Sequence, residues 1–239
     1  MKKYFNKLYN KSYQNFSEIM IDNLKNDNKM FVITANPETF MIASKDVDFS
    51  SLILDKDVTV VPDGIGIVKA AKMLNYEIIE RIPGIEIALT LLKEGNKNKK
   101  CFYLFGASEE VMKLMEKKIK KEYPNIKLVG YSNGYVEDKD AIFENISKLQ
   151  PDVILVALGI PAQEKLIYKH LHKFSHGIFV GVGGSFDVIS GYKKRAPKLF
   201  QKLNLEWLYR LVKEPKRIKR FYNSNVKFIF QIRKTNKNK

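Results

Sequence analysis

Cys101-Phe102-Tyr103-Leu104-Phe105-Gly106-Ala107-Ser108-Glu109-Glu110 is the stretch from which the fold can be read. Its first five residues lack the polar alternation of a half-exposed strand, as expected for a strand buried inside a parallel sheet. Gly106 and Ala107 break the run. Ser108 then stands where a helix cap belongs, and Glu109 and Glu110 fall in a first turn, where the helix dipole favours acids. Val111, Met112, Met115 and Ile119 follow at helical spacing, so the pattern predicts a helix over Glu109–Glu122. A buried strand running straight into a helix is the building unit of an α/β sheet.

The same unit recurs on both sides. Strands are predicted at Met30–Ala35, Val58–Val61, Ile126–Gly130, Val153–Ala157 and Gly177–Gly181. Helices are predicted at Glu38–Ser44, Ile65–Leu74, Ile85–Glu94, Asp140–Leu149 and Gln163–His172. This alternation predicts a doubly wound, mostly parallel, Rossmann-like α/β sheet. After Gly191 the pattern changes. Leu203–Val212 reads as an amphipathic helix, Pro215 interrupts, and an aromatic, basic stretch runs over Ile218–Ile232. The chain is therefore divided into a core, 1–196, and a basic, mainly helical C-terminal appendage, 197–239. Removing Leu203–Lys239 is expected to leave a folded core.

With 239 residues and 45% hydrophobic content, the chain can bury one full core. Its single cysteine, Cys101, cannot form an internal disulfide and fits a reducing compartment. Met1–Met20 mixes lysines with aromatics and has no signal-peptide core, and no run of apolar residues is long enough to span a bilayer. The expected location is the cytoplasm. The formal charge is +16, and from Tyr192 to Lys239 sixteen Lys/Arg face two acids, 16 − 2 = +14. So uneven a distribution points to a polyanion, either nucleic acid or an anionic membrane face. A nucleic-acid-binding protein, with Phe221, Tyr222, Phe228 and Phe230 among the basic residues, is the alternative from another functional class; no known recognition module supports it. An ordinary terminal helix packed on the core with a solvated basic face is the plainer reading. An NAD-dependent dehydrogenase fails on Gly64-Ile65-Gly66-Ile67-Val68-Lys69, which lacks the third glycine of the dinucleotide fingerprint.

Open parallel sheets bind ligands beyond the carboxyl ends of their strands. Five such ends carry unusual residues: Thr34-Ala35-Asn36-Pro37, Pro62-Asp63-Gly64-Ile65-Gly66, Phe105-Gly106-Ala107-Ser108, Leu158 through Glu164, and Gly181-Val182-Gly183-Gly184-Ser185-Phe186-Asp187. Glycines there let backbone approach a ligand, and helix N-termini offer N–H donors to phosphate. Together they predict a nucleotide-sized site. Asp46-Val47-Asp48 has the form of a metal-binding acidic pair but falls away from that edge and reads as a solvated loop. His170, His172 and His176 lack a partnering Cys or acid cluster. No metal and no cofactor are expected.

Asp63-Gly64 followed by Glu80-Arg81-Ile82-Pro83-Gly84 resembles the signature of WecG/TagA/CpsF glycosyltransferases. So do Gly159 through Glu164, Gly181–Asp187, Lys194-Arg195-Ala196-Pro197, and Leu205-Glu206-Trp207-Leu208-Tyr209-Arg210 ending at Glu214-Pro215. The likeness runs from about Asn36 to Arg220; Ala162 departs from the Lys of many relatives. It implies inverting, metal-independent transfer of N-acetylmannosamine from a UDP-sugar to undecaprenyl-diphosphate-linked N-acetylglucosamine, as in teichoic acid linkage synthesis. UDP-N-acetylmannosaminuronic acid and UDP-glucose are the alternative donors.

The same resemblance implies roles for residues. Asp63 would be the base that deprotonates the acceptor hydroxyl, against a capping role for the helix at Ile65. Thr34 and Asn36 would contact donor sugar or acceptor, against an Asn-Pro turn. Arg81 would neutralise a phosphate, against an ion pair with Glu80 or Glu86. Gln163 would bind sugar hydroxyls, against simple solvation at a helix start. Gly106 and Ala107 belong to the nucleotide loop. Gly181, Gly183, Gly184 and Asp187 would hold uridine and ribose, with Phe186 lining the base. Tyr135 is a candidate for stacking on uracil, against a core or turn role. Arg210, Arg217 and Arg220 would clamp a diphosphate. The partners expected are thus a UDP-sugar, a polyprenyl-diphosphate-linked sugar, an anionic membrane surface met through the appendage at the inner face of the plasma membrane and, left open, a second copy of the chain.

Overall fold

The computed structural model describes residues 1–237, with the side chains of Arg217 and Lys237 set aside. Two helices, α1 (Lys2–Lys7) and α2 (Tyr13–Lys25), precede the first strand, β1 (Lys29–Ala35). Helices α3 (Pro37–Ala43) and α4 (Val47–Leu54) lead to β2 (Val58–Pro62), and α5 (Ile65–Met73) and α6 (Gly84–Lys97) lead to β3 (Cys101–Gly106). Single helices then alternate with strands: α7 (Glu109–Glu122), β4 (Lys127–Ser132), α8 (Lys139–Leu149), β5 (Val153–Ala157), α9 (Ala162–His170) and β6 (Gly177–Gly181). Beyond the sheet lie α10 (Ser185–Ile189), α11 (Lys198–Lys202), α12 (Glu206–Lys213), α13 (Arg217–Phe221) and α14 (Lys227–Lys237), with a π-helical stretch at Tyr222–Val226.

The six strands form one sheet in the order β2-β1-β6-β5-β3-β4. All neighbouring pairs are parallel. This is the doubly wound sheet expected from the sequence. Pleating sends alternate residues to opposite faces. Phe31, Ile33 and Ala35 of β1 join one core with α1, α3, α4, α5, α8, α9 and α14. Met30 and Val32 join a second core on the other face with α2, α6, α7 and α10. Ser108 caps α7 as predicted, accepting from the Val111 amide. β4 runs two residues further than predicted, because a register shift at Phe102/Tyr103 carries its pairing on to Ser132.

Three findings correct the sequence expectations. Asp46-Val47-Asp48 is not a solvated loop but the start of α4: Asp46 accepts from the Phe49 amide at 3.0 Å and pairs with Lys165 at 2.6 Å. Two N-terminal helices went unpredicted, although Phe16, Met20 and Leu24 recur every four residues on the buried face of α2 and Ser12 caps it. The third concerns the C-terminal end. Phe228 and Ile232 of α14 are fully buried in the first core, with the Phe228 ring 6.5 Å from Phe5 and 6.4 Å from Phe40. A chain cut before Leu203 would bare that aromatic cluster, at a cost of about 3–5 kcal/mol for the lost phenylalanine alone, so the expected intact core is not what deletion would leave.

Candidate functional site

The carboxyl ends of the strands open into a cleft of about 1030 Å³, floored by the strand-end loops and walled on the far side by α12 and α13. Thr34, Asn36, Asp63, Arg81, Ala107, Tyr135, Gln163, Gly183, Gly184, Asp187, Arg210 and Arg220 all line it. The topology brings them together from positions scattered over most of the chain.

Asp63 sits just past β2. Its amide donates to Ala35 O at 2.8 Å, and its Oδ1 accepts from Gly84 N, the first residue of α6, at 3.3 Å. It does not cap α5, whose N-cap is Gly64 with no side-chain bond. Gly84 packs closely there: a Cβ would stand 3.2 Å from Thr34 Cγ2. Burial pushes the Asp63 carboxyl up to about 6, while Arg210, Arg81 and the Gly84 N–H pull against it. A carboxyl so placed is ionised at neutral pH yet close to the range where proton acceptance is efficient.

Several neighbours shape the floor rather than reach into it. Thr34 donates to Gly181 O at 3.0 Å, tying β1 to β6. Asn36 caps α3, accepting from Glu38 and Thr39 amides at 2.9 and 3.2 Å, so the Asn-Pro turn is real. Gln163 is only 2% exposed. Its Oε1 accepts from Gly159 N at 3.1 Å and Gly183 N at 3.2 Å, and its Nε2 donates to Glu164 at 2.7 Å. Its amide laces two ligand loops together while the side chain still lines the cleft. Glu164 is fully buried, its Oε2 has no partner, and burial pushes its carboxyl up to about 7 despite the bond from Gln163.

Phe186 is also corrected. It is fully buried in the second core, because α10 turns that side chain inward, and cannot line a base. Gly106 and Gly181 lie beneath the cleft surface rather than on it. Gly106 has φ +126° and its Cβ would lie 2.3 Å from Ala157 O; a Cβ on Gly181 would meet the Gln163 amide at 2.5 Å. Gly183, at φ +48°, faces open space. Asp187 pairs with Lys193 at 3.5 Å. Tyr135 is 83% exposed at the rim, which removes the core alternative for it; its amide donates to Asn133 Oδ1.

On the opposite wall, Arg220 bonds Glu38 at 2.8 Å. The Arg217 side chain lies outside the described residues. Arg81 pairs not with Glu80 or Glu86 but with Glu206 of α12, at 3.1 Å. Glu206 also accepts from Arg195 Nε at 3.3 Å, and Arg195 reaches on to Glu86. Trp207 and Phe221 stack at 4.9 Å and 7°, both facing the cleft. None of Glu206, Arg195, Lys193, Trp207 and Phe221 was placed in the cleft from sequence. The available signal was Glu206 itself, one of two acids in a strongly basic segment. Among the described residues, no three His, Cys, Asp or Glu converge as a metal site, and His170 is instead stacked on Phe143 and bonded to Asp140 at 2.6 Å.

A family model described as "Glycosyl transferase WecG/TagA/CpsF family" matches residues 5–239. A protein of Bacillus subtilis (strain 168) is 43% identical over 208 residues, 87% of this chain and 80% of that protein. Similar proteins of Bacillus spizizenii (38% identical; 80% of this chain and 74% of theirs) and Staphylococcus aureus strain MW2 (36%; 90% and 86%) accompany it. All three bear the name N-acetylglucosaminyldiphosphoundecaprenol N-acetyl-beta-D-mannosaminyltransferase.

Proposed function

The chain belongs to the WecG/TagA/CpsF glycosyltransferase family, and from that premise we propose that it transfers N-acetylmannosamine, with inversion, from UDP-N-acetylmannosamine to undecaprenyl-diphosphate-linked N-acetylglucosamine. The relatives' names supply the sugar and the acceptor. The observation that carries the chemistry is Asp63, a carboxyl raised to about 6 on the floor of a nucleotide-sized cleft, with Arg81 and Arg210 beside it.

In this reading Asp63 takes the proton from the acceptor hydroxyl as its oxygen attacks the anomeric carbon. The bond from that carbon to the UDP oxygen breaks, and UDP leaves with the electron pair. No metal is invoked: cationic side chains, Arg81, Arg210 and Arg220 among them, and backbone N–H groups of the cleft floor would carry the leaving diphosphate's charge. Tyr135 and Asp187 flank the volume left for uridine and ribose.

The acceptor is lipid-borne, and among the described residues no helix is long and apolar enough to cross a membrane. Leu199, Leu203, Leu208, Val212 and Ile218 are exposed on the appendage among its lysines. Such a surface suits reversible docking to an anionic leaflet, where each cation adds about 1 kcal/mol. Functionally we therefore divide the chain into a catalytic core, 1–196, and a membrane-facing appendage, 197–239.

The test offers the protein a panel of UDP-sugars with a short-chain lipid-diphosphate N-acetylglucosamine acceptor and reads products by mass spectrometry. A disaccharide formed from UDP-N-acetylmannosamine is expected. A product from UDP-N-acetylmannosaminuronic acid or UDP-glucose alone would replace the donor, and no product from any donor would break the reading.

A further inference from the structure

Helix α12 buries a charge where an apolar residue is usual. Glu206 is the only buried residue of α12, all of which is described, whereas Trp207, Leu208 and Val212 are exposed. A surface helix ordinarily registers on its protein through an apolar stripe. Here the contact surface is a carboxylate, 8% exposed, held between two guanidinium groups. Burial alone would raise the Glu206 carboxyl, but Arg81 and Arg195 outweigh it and hold it below the usual range. Arg195 in turn is anchored on Glu86 of α6, so the chain of charges runs Glu86–Arg195–Glu206–Arg81 from the core into the roof.

Arg210 lies one turn after Glu206, on the same side of the helix, and lines the cleft. The two residues thus present alternate charge to the floor: Glu206 meets Arg81, and Arg210 acts on Asp63. We propose that Glu206 is a positioning residue that registers α12 by ion pairing and thereby sets Arg81 and Arg210 around Asp63. An ion-paired register is cooperative, since losing the carboxylate frees Arg81, leaves Arg195 with Glu86 alone, and loosens the helix that carries Arg210. It differs from an apolar anchor in that its loss changes the electrostatics of the site even where the fold survives.

The groups acting on Asp63 are Arg81 from the α5–α6 segment, Arg210 and Glu206 from α12, and the Gly84 N–H from α6. Glu206 raises the Asp63 carboxyl and burial raises it more. Replacing Glu206 by Gln removes a negative charge, leaves Arg81 unshared and admits water beneath a loosened α12. All three favour the ionised form of Asp63; only retreat of Arg210 opposes them.

The experiment uses the full chain. The Asp63 carboxyl is titrated by ¹³C NMR in the unliganded parent and in Glu206→Gln, and turnover is measured at pH 8, where Asp63 is ionised in both. Expected are a midpoint at lower pH than in the parent and a kcat lower by about tenfold, an order-of-magnitude loss of alignment. Glu206→Asp, which keeps the charge on a shorter arm, should lie between the two, and it serves as the reporter if Glu206→Gln does not fold. A merely structural Glu206 would lower Tm and, through loss of its charge, still move the midpoint in Glu206→Gln, but would leave kcat at pH 8 and the Glu206→Asp midpoint at parent values. An unchanged midpoint, or a shifted midpoint with kcat at pH 8 unchanged, in Glu206→Gln or in Glu206→Asp where only that variant folds, overturns the inference. The inference rests on the proposed reaction for the roles of Arg81 and Arg210, yet the two fail differently. A parent that turns over no UDP-sugar breaks the proposed function, whereas an unmoved carboxyl titration, or an unchanged kcat at pH 8, breaks the positioning role alone.

Discussion

The two walls of the cleft are built on opposite principles. The core wall is laced by short polar bonds between loops: Thr34 to Gly181, Gln163 to Gly159 and Gly183, and Asp63 to Gly84. Its shape is fixed by buried groups and needs no ligand. The appendage wall buries a charge, sets the Trp207–Phe221 stack against the cleft, and is tied across it by Glu206, by Arg220 on Glu38, and by Lys193, which pairs with both Asp187 and Glu214. Pairs of that kind are screened by salt and open at smaller cost than a packed core. The difference teaches that one wall is preformed, and the other can respond to what enters the cleft.

The largest effect that would sharpen this contrast belongs to the core wall. Asp63→Asn should lose on the order of 10²–10⁴ in turnover while UDP affinity holds. In the parent, kcat/KM should climb as pH rises through about 6, where Asp63 ionises, and level off above it. Near-normal turnover with a lower Tm would reduce Asp63 to its bond with Gly84.

Next comes a break in the appendage wall. Lys202, Lys216 and Lys219 are exposed. Changing all three to Glu should weaken binding to anionic vesicles by about a hundredfold or more at low salt, from about 1 kcal/mol per lost cation, with turnover of a short-chain soluble acceptor little altered. Equal vesicle binding by parent and variant would move the docking surface elsewhere.

A smaller effect separates the rigid wall's interior from its surface. Glu164 has a folded carboxyl at about 7 against an ordinary 4.5. Because the folded value is raised, the stability this group contributes is complete below about pH 4.5 and is lost as pH rises through 7. Glu164→Gln should therefore raise Tm by several degrees at pH 8 relative to the parent and by little at pH 4.5. A pH-independent difference would mean that Glu164 is not the titrating group.

The smallest expected effect is near silence. Asp48 is exposed on α4, outside the cleft, so Asp48→Ala should shift stability by no more than about 0.5 kcal/mol, and turnover should survive EDTA. Activity lost in EDTA and restored by Mg²⁺ or Mn²⁺ would show that side chains and amides do not carry the diphosphate's charge unaided.

The same division governs how much could be read from sequence. Buried strands announce themselves by continuous apolar runs, so β5 and β6 fall at their predicted residues, and the strand-end motifs located most of the cleft floor. What sequence could not supply was direction. Phe186 and Gln163 sit in the correct loops, but whether a side chain faces ligand or core depends on the turn of α10 and on two amides converging on one carbonyl oxygen. Arg81 was given the local partners Glu80 and Glu86, because sequence offers only neighbours; its actual partner is 125 residues away. The tail was least legible, since the one residue that α12 buries is a carboxylate and α14 hides two core residues within a basic run.

The aromatic contact between Phe5 and Phe228 has a consequence for synthesis. A ribosome makes the chain vectorially, so Phe5 and Phe40 emerge long before the ring that covers them. Until residue 228 is out and clear of the exit tunnel, the nascent sheet carries an uncovered aromatic patch, a surface that chaperones and neighbouring nascent chains can seize. Premature termination before residue 228 would release a chain with that patch permanently open. Quality control for this molecule is written into its last turns of helix.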